Sequence, residues 1–327
     1  MRKVLLSSAA VCGLALAATP AFAEDGLKLD VGGWFKGYGV FIDQDEVANR
    51  EVNEFDFIRN TELHFTGETT LDNGLVVGYH IETDADGDED LGVEESYMYL
   101  SGGWGRVNFG AEDGAAYLLQ VAAPAADENI DGLRQFVQPV NYDVATGATA
   151  GSLALAFDYD QDPTGYADKL TYLTPVLNGF QAGLSYTPDV GTDGVAVDDG
   201  FANDLAGVRE DDIADQFAEA YEASVRYEGQ FNELGVAIGG GYSHVEFNDG
   251  TAVNAVADVT DDREVWNVGV DFDWGPFGLG VAYLEDDLGE PVGLEERETI
   301  VVGADYTTGP FRLGASWYND EVGLDNN

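Results

Sequence analysis

Trp266-Asn267-Val268-Gly269-Val270-Asp271-Phe272-Asp273-Trp274 places an apolar residue at most second positions and a tryptophan at each end. Such alternation turns one side of a β-strand toward an apolar medium and the other toward water. Gly74-Leu75-Val76-Val77-Gly78-Tyr79-His80-Ile81-Glu82 repeats it, with Leu75, Val77, Tyr79 and Ile81 sharing a face. Strands of about 9–11 residues with aromatic ends are the pattern of a transmembrane barrel. Working outward from these two segments, strands are predicted at 27–42, 54–69, 74–83, 93–100, 106–110, 168–174, 180–187, 217–228, 234–247, 263–273, 278–285, 297–306 and 311–320.

The connections between them sort into two kinds. Leu71-Asp72-Asn73-Gly74, Ser101 to Gly105, Pro175 to Gly179, Trp274-Gly275-Pro276 and Thr307 to Pro310 are tight and carry turn residues. Segments 43–53, 84–92, 111–167, 188–216, 248–262 and 286–296 are long and acidic. Short turns on one rim and long loops on the other characterise bacterial barrels, with turns periplasmic and loops external. A soluble sandwich has no reason to sort its loops in this way. Gly151 to Tyr159 also alternates, but counting it as a wall strand would put the acidic segment 188–216 among the periplasmic turns. It is assigned to an excursion within the third loop, 111–167.

Composition narrows the function classes. There are 62 acidic residues against 14 basic ones, a formal net charge of −48. That charge repels phosphates, so no nucleic acid partner is expected. Residues 1–23 read as a secretory signal peptide: Arg2 and Lys3, an apolar stretch from Val4 to Ala18, and the small-residue site Ala21-Phe22-Ala23. The single cysteine, Cys12, lies inside it, so the segment 24–327 carries no thiol or disulfide. Beyond the signal no apolar run is long enough for a transmembrane helix.

These features together resemble a known family, the general porins of Gram-negative bacteria, specifically the alphaproteobacterial porin type. The resemblance rests on the signal peptide, Leu71 to Leu75, Trp104-Gly105-Arg106-Val107-Asn108-Phe109-Gly110-Ala111-Glu112-Asp113, Lys169 to Pro175 and Gly179 to Asp189. It implies a 16-stranded, usually trimeric barrel in the outer membrane whose third loop folds inward to narrow the pore. The domain expected over 24–327 is therefore a transmembrane antiparallel β-barrel with an inward-folded third loop at 111–167. Thirteen predicted strands are an odd number, and members of the family finish on a strand with a terminal aromatic residue. Gly323 to Asn327 does neither. The expectation is a C-terminally truncated chain lacking about three strands.

Strand parity assigns faces. Leu27, Leu29, Val31 and Phe35 are expected outside; Lys28, Asp30, Trp34, Lys36 and Tyr38 inside, as are Glu62, His64, His80, Glu82, Arg106, Asn108, Glu222, Ser224, Arg226, Arg312 and Ser316. A charge facing the bilayer midplane costs about 2–4 kcal/mol, so a polar lumen and an apolar exterior require each other. Arg59 breaks the parity. By the resemblance, the pore constriction lies between acidic loop groups (Glu112, Asp113, Asp127, Glu128 and Asp131) and basic or polar wall groups (Lys28, Lys36, His64, His80 and Arg106). The excess of carboxylates predicts a preference for cations.

Other chemistry is weaker. Asp84, Asp86, Asp88 and Glu95 have the spacing of a calcium loop, but Glu89 stands where that loop needs glycine and the flanks read as strands. Loosely bound Ca²⁺ in acidic external loops is the most that follows; no cofactor is expected. His64, His80 and His244 fall on separate strands without ligand spacing and read as pore-lining or packing residues. Gly239-Gly240-Gly241 reads as a bend or a close backbone approach. No catalytic motif is found, and Ser243 and His244, being adjacent, point to opposite faces. The expected function is passive diffusion of small hydrophilic solutes through a water-filled homotrimeric channel. The alternatives are a sugar-specific outer-membrane channel, or a secreted acidic β-sandwich binding carbohydrate or calcium.

Overall fold

The computed structural model describes residues 28–41, 43, 54–85, 91–126, 159–190, 216–248, 261–289 and 294–324. Thirteen strands lie in one antiparallel sheet in strict chain order. They are β1 (Lys28–Phe41), β2 (Phe55–Thr70), β3 (Val76–Asp84), β4 (Gly92–Gly102), β5 (Gly105–Ala111), β6 (Asp168–Leu173), β7 (Phe180–Thr187), β8 (Gln216–Phe231), β9 (Leu234–Asn248), β10 (Arg263–Trp274), β11 (Phe277–Asp286), β12 (Leu294–Thr308) and β13 (Phe311–Leu324). A one-turn helix, α1 (Ala115–Leu118), follows β5. A single sheet excludes the two-sheet sandwich. Among the described residues β1 pairs with β2 alone and β13 with β12 alone.

Each predicted strand is present, and several run past the ends read from the sequence; β13 continues to Leu324 and β8 to Phe231. Hydrogen-bonded pairing persists where the chain leaves the apolar band, whereas the alternation that reveals a strand stops there. The tight turns hold by local chemistry. In the β2–β3 turn the Gly74 N–H donates to Leu71 O (2.8 Å) and the Leu75 N–H to Asn73 Oδ1 (3.1 Å). Gly74 sits there at φ +82°, in the left-handed region that glycine enters without strain.

The outer face is apolar and exposed: Val31, Phe35, Phe109, Leu184, Val225, Val268, Leu279 and Leu313 all point away from the lumen. Aromatic residues bound it in two rows. Near the tight turns stand Trp104 with Tyr172, Phe180 with Tyr227, Trp274, and Phe277 with Tyr306. Toward the long loops stand Tyr186 with Tyr221, Tyr242, and Trp266 with Tyr283. Trp266 and Trp274 mark the two rows on one strand. Their separation, at about 3.4 Å per residue and a tilt of about 40°, corresponds to a band roughly 20 Å tall. Arg59 faces outward beside the exposed Phe57, close to the loop-side start of β2 and opposite Gly37. No described helix is long and apolar enough to cross a membrane, which leaves the strands as the spanning elements.

Candidate functional site

The lumenal side is the inner face of the sheet together with the chain that follows β5. That chain leaves the wall at Glu112 and Asp113, turns through α1, and lies along the inner faces of β7 to β13. Its course is set by small wall residues. A Cβ on Gly269 would meet Val121 O at 2.0 Å, and one on Gly303 would meet Pro124 O at 2.1 Å. Gly239 and Gly241 receive Val121 and Ala116 in the same way, a close backbone approach.

Buried hydrogen bonds then pin the segment. The Ala115 N–H donates to Ser185 Oγ (2.7 Å), Ser224 Oγ donates to Ala115 O (2.5 Å), and Arg226 Nη1 donates to Gln120 O (2.9 Å). The returning part of the loop is tied to the outgoing part. Gln120 Nε2 donates to Tyr159 O (2.9 Å), the Gln161 N–H to Gln120 Oε1 (2.9 Å), and the Ala123 N–H to Tyr159 Oη (3.0 Å). Gln161, fully buried, reaches the wall with Nε2 to Ser243 Oγ (2.8 Å) and Val265 O (2.9 Å), and accepts from Asn267 Nδ2. Tyr159 also packs with Ala123, Ala282 and Val301.

At the root of the loop Glu112 is 2% exposed and accepts from Asn108 Nδ2 (2.7 Å), while Asn108 Oδ1 accepts from Arg106 Nε (2.6 Å). Burial pushes the Glu112 carboxyl up to about 7, against the opposing pull of Asn108, Arg106 and Lys169. Its second oxygen, Oε2, is buried without a hydrogen-bond partner among the described residues. Burial, reinforced by the Asp162 and Glu95 carboxylates, holds Asp113 well above the ordinary range. Lys169, 2% exposed, donates to Glu112 O and to Gly165 O (2.6 Å), so one ammonium fastens both ends of the loop root. No local sign in the sequence marks it as a site residue: Gly165 O is four residues upstream, but Glu112 O is fifty-seven.

The facing wall, β1 to β5, is different. Trp34 meets His64 edge-on (centroids 4.7 Å), His64 meets His80 (5.4 Å), and His80 meets Tyr97 (5.4 Å). The Arg106 guanidinium lies 3.9 Å from the Tyr99 ring centre and 5.9 Å from that of Tyr97. Lys36 Nζ stands 5.2 Å from the Trp34 ring and Trp34 Nε1 donates to Asn60 Oδ1 (2.7 Å). Lys28 is exposed at the turn rim, in register with Glu68. The wall is not simply basic. Glu62 lies 3.1 Å from His64, Glu82 lies 3.3 Å from both histidines, and Glu95 lies 3.8 Å from His80. A register shift after Glu82 on the β3–β4 pair turns both Glu94 and Glu95 inward.

His64 and His80, sixteen residues apart on separate strands, have no ligand spacing in the sequence; pairing register is what brings them together. Antiparallel pairing sets His64 opposite Glu82 and His80 opposite Thr66, so the two rings become diagonal neighbours on one face. His244 stays apart, facing Asp262 (3.7 Å) and Glu264 (3.8 Å) on the outer side. Asp84 ends β3 and Glu95 points into the lumen, whereas Asp86 and Asp88 of the calcium-like spacing lie outside the described residues. So do Asp127, Glu128 and Asp131, the segment 1–23 and the stretch 151–158.

An apolar, aromatic-rimmed exterior around a polar interior crossed by one inward loop defines an outer-membrane channel of the β-barrel class. Comparison with known proteins agrees: residues 7–327 match the family profile of the Gram-negative porins, and the chain belongs to that family. An uncharacterized protein of Rickettsia felis is 22% identical over 339 aligned positions, covering 86% of this chain and 76% of the relative. One of Rickettsia conorii is 23% identical with the same coverage. Among solved structures, the anion-selective porin of Comamonas acidovorans superposes with a TM-score of 0.54 at 17% identity, over 90% of this chain and 80% of that one. OmpF of Salmonella typhi, in complex with daunomycin, gives 0.54 at 16% over 90% and 79%. The trimer form of Vibrio cholerae OmpT gives 0.52 at 15% over 92% and 79%. At these identities the likeness speaks for the fold.

Proposed function

We propose that the protein is a cation-preferring porin through which small hydrophilic solutes and ions diffuse passively, with no chemical step. The observation that supports the preference is the charge of the β1–β5 wall. Glu62, Glu82 and Glu94 cluster on the inner side of β2 to β4, against Lys36 and Arg106. Rings of like charge set the sign of the permeating ion. A porin of similar fold is described as anion-selective, so the fold leaves this sign open and the wall must supply it. We further propose export directed by residues 1–23 and assembly as a homotrimer in outer-membrane lipid, the latter supported by the trimer form of the structurally similar Vibrio protein. Planar-bilayer recordings under a KCl gradient test the reading: the reversal potential takes the sign of K⁺ permeation, and a Cl⁻-selective potential would refute it.

A second reading draws on the row Trp34, His64, His80, Tyr97 and Tyr99. Stacked aromatic surface beside carboxylates is also what a saccharide needs, with apolar sugar faces on rings and hydroxyls on charged groups. Saturable block of the ion current by linear oligosaccharides favours that reading; unaffected current at millimolar sugar favours the general pore.

A further inference from the structure

We infer that His64, His80 and Glu82 form a binding site for a divalent transition-metal ion of the Zn²⁺ class in the lumen wall. Glu82 Oε2 lies 3.3 Å from His64 Nε2 and 3.3 Å from His80 Nε2, and one ligand atom from each of the three residues lies within 4.8 Å of the others. Tetrahedral Zn²⁺ with bonds near 2.0–2.1 Å spaces its ligand atoms about 3.3–3.4 Å apart. The two carboxylate–imidazole separations are already those of such a tetrahedron's edges. Imidazole nitrogen with carboxylate oxygen is a donor set for borderline metals, distinct from the all-oxygen shells that hard Ca²⁺ takes.

The surroundings fit ligation. Thr66 Oγ1 is 2.9 Å from His80 Nδ1. With the hydroxyl accepting the Nδ1 proton, Nε2 keeps its lone pair toward the metal, the outer-shell arrangement that orients metal-binding histidines. Trp34 edges against His64 and Tyr97 lies beside His80, so both rings are held on rigid strands. Glu62 Oε2, 3.1 Å from His64 Nε2, is placed as a fourth ligand or as an outer-shell acceptor, and Glu62, Glu82 and Glu94 form a second carboxylate group sharing Glu82. Their negative charge draws a dication out of the lumen. All these atoms belong to β1 to β4, away from the loop segment 115–126.

Calorimetry on the whole protein in detergent tests the site without reference to transport. ZnCl₂ is titrated in buffer containing excess CaCl₂, which occupies acidic loops. The wild type is expected to bind one Zn²⁺ in the micromolar range. His64→Ala and His80→Ala should each weaken binding about tenfold or more, and Thr66→Val about tenfold, as loss of an outer-shell partner does. His244→Ala should leave it unchanged. Heat-modifiable gel migration shows which variants are folded, and His80→Gln provides a milder replacement if His80→Ala is not. Zn²⁺ binding that survives in folded His64→Ala/His80→Ala protein, or no Zn²⁺ binding by the wild type above the Ca²⁺ background, overturns the proposal.

Discussion

Strands β1 to β5 and strands β7 to β13 face the same lumen, yet they meet it with different chemistry. The β7–β13 side is built to be covered: glycines lie where residues 115–126 pass, and Ser185, Ser224, Arg226 and Ser243 reach the loop or its bridging Gln161 by buried hydrogen bonds. The β1–β5 side instead carries imidazoles, indole, phenols, a guanidinium and carboxylates on adjacent strands, away from residues 115–126. The difference shows that small residues and buried hydrogen-bonding groups seat residues 115–126 on one wall, whereas the opposite wall keeps large aromatic and charged side chains.

The sharpest way to break this division is at the loop root. Lys169→Met removes the ammonium that fastens Glu112 O and Gly165 O and leaves two backbone carbonyls at the loop root without their donor. A buried polar group left unsatisfied costs about 1–3 kcal/mol. Denaturant unfolding should show that loss, with a larger, noisier single-channel conductance; unchanged values would mean that the loop is held elsewhere. Gly269→Val acts further along the track. Its new side chain collides with Val121 O, and forced overpacking costs about 1–3 kcal/mol. The loop should become a protease target while the barrel still migrates as folded, and resistance equal to wild type would refute the glycine track.

A titration sharpens the comparison. Glu112 is raised from its ordinary 4.5 to about 7 by burial. Below its ordinary value it is neutral whether docked or free. Between the two values docking retains a proton that water would remove, and this contribution is lost as pH rises through about 7. Two readouts follow. The loop should be held more firmly at acid pH, measured by proteolysis, and K⁺ over Cl⁻ permeability should rise severalfold as the carboxylate appears, measured by reversal potential. In Glu112→Gln the pH step should shrink, and what remains belongs to the buried Asp113 beside it. The smallest effect belongs to the β1–β5 wall: Arg106→Ala removes one partly exposed positive charge, worth under about 1 kcal/mol. The K⁺ to Cl⁻ ratio should rise about twofold with folding unaltered, and a fall would show that Arg106 does not face permeating ions.

The wall itself was legible because a strand between lipid and water must alternate, and Trp266 to Trp274 does so without any knowledge of its neighbours. The same alternation gave the correct face for Glu222, Ser224 and Arg226, and for Ser243 against His244. The site was legible only by face. Parity puts His64 and His80 inside, but it is silent on register, and register made them neighbours. The inward turn of both Glu94 and Glu95 was hidden for a related reason: a register shift breaks the period on which parity depends. The role of Lys169 had no local signature, since its acceptors are backbone oxygens that become available only once the loop is docked.

What the sequence determined by itself is therefore the sheet: its strands, its short-turn rim, its apolar exterior and its polar interior. Each follows from interactions between a residue and its solvent, which repeat along the chain with a fixed period. What only the tertiary structure decided is who meets whom inside: the imidazole–carboxylate cluster, the glycine track beneath residues 115–126 and the buried fastening of the loop. Those contacts join residues far apart in the chain. They depend on pairing register and on a loop path whose energy is shared among many partners, none of which leaves a pattern in its own stretch of sequence.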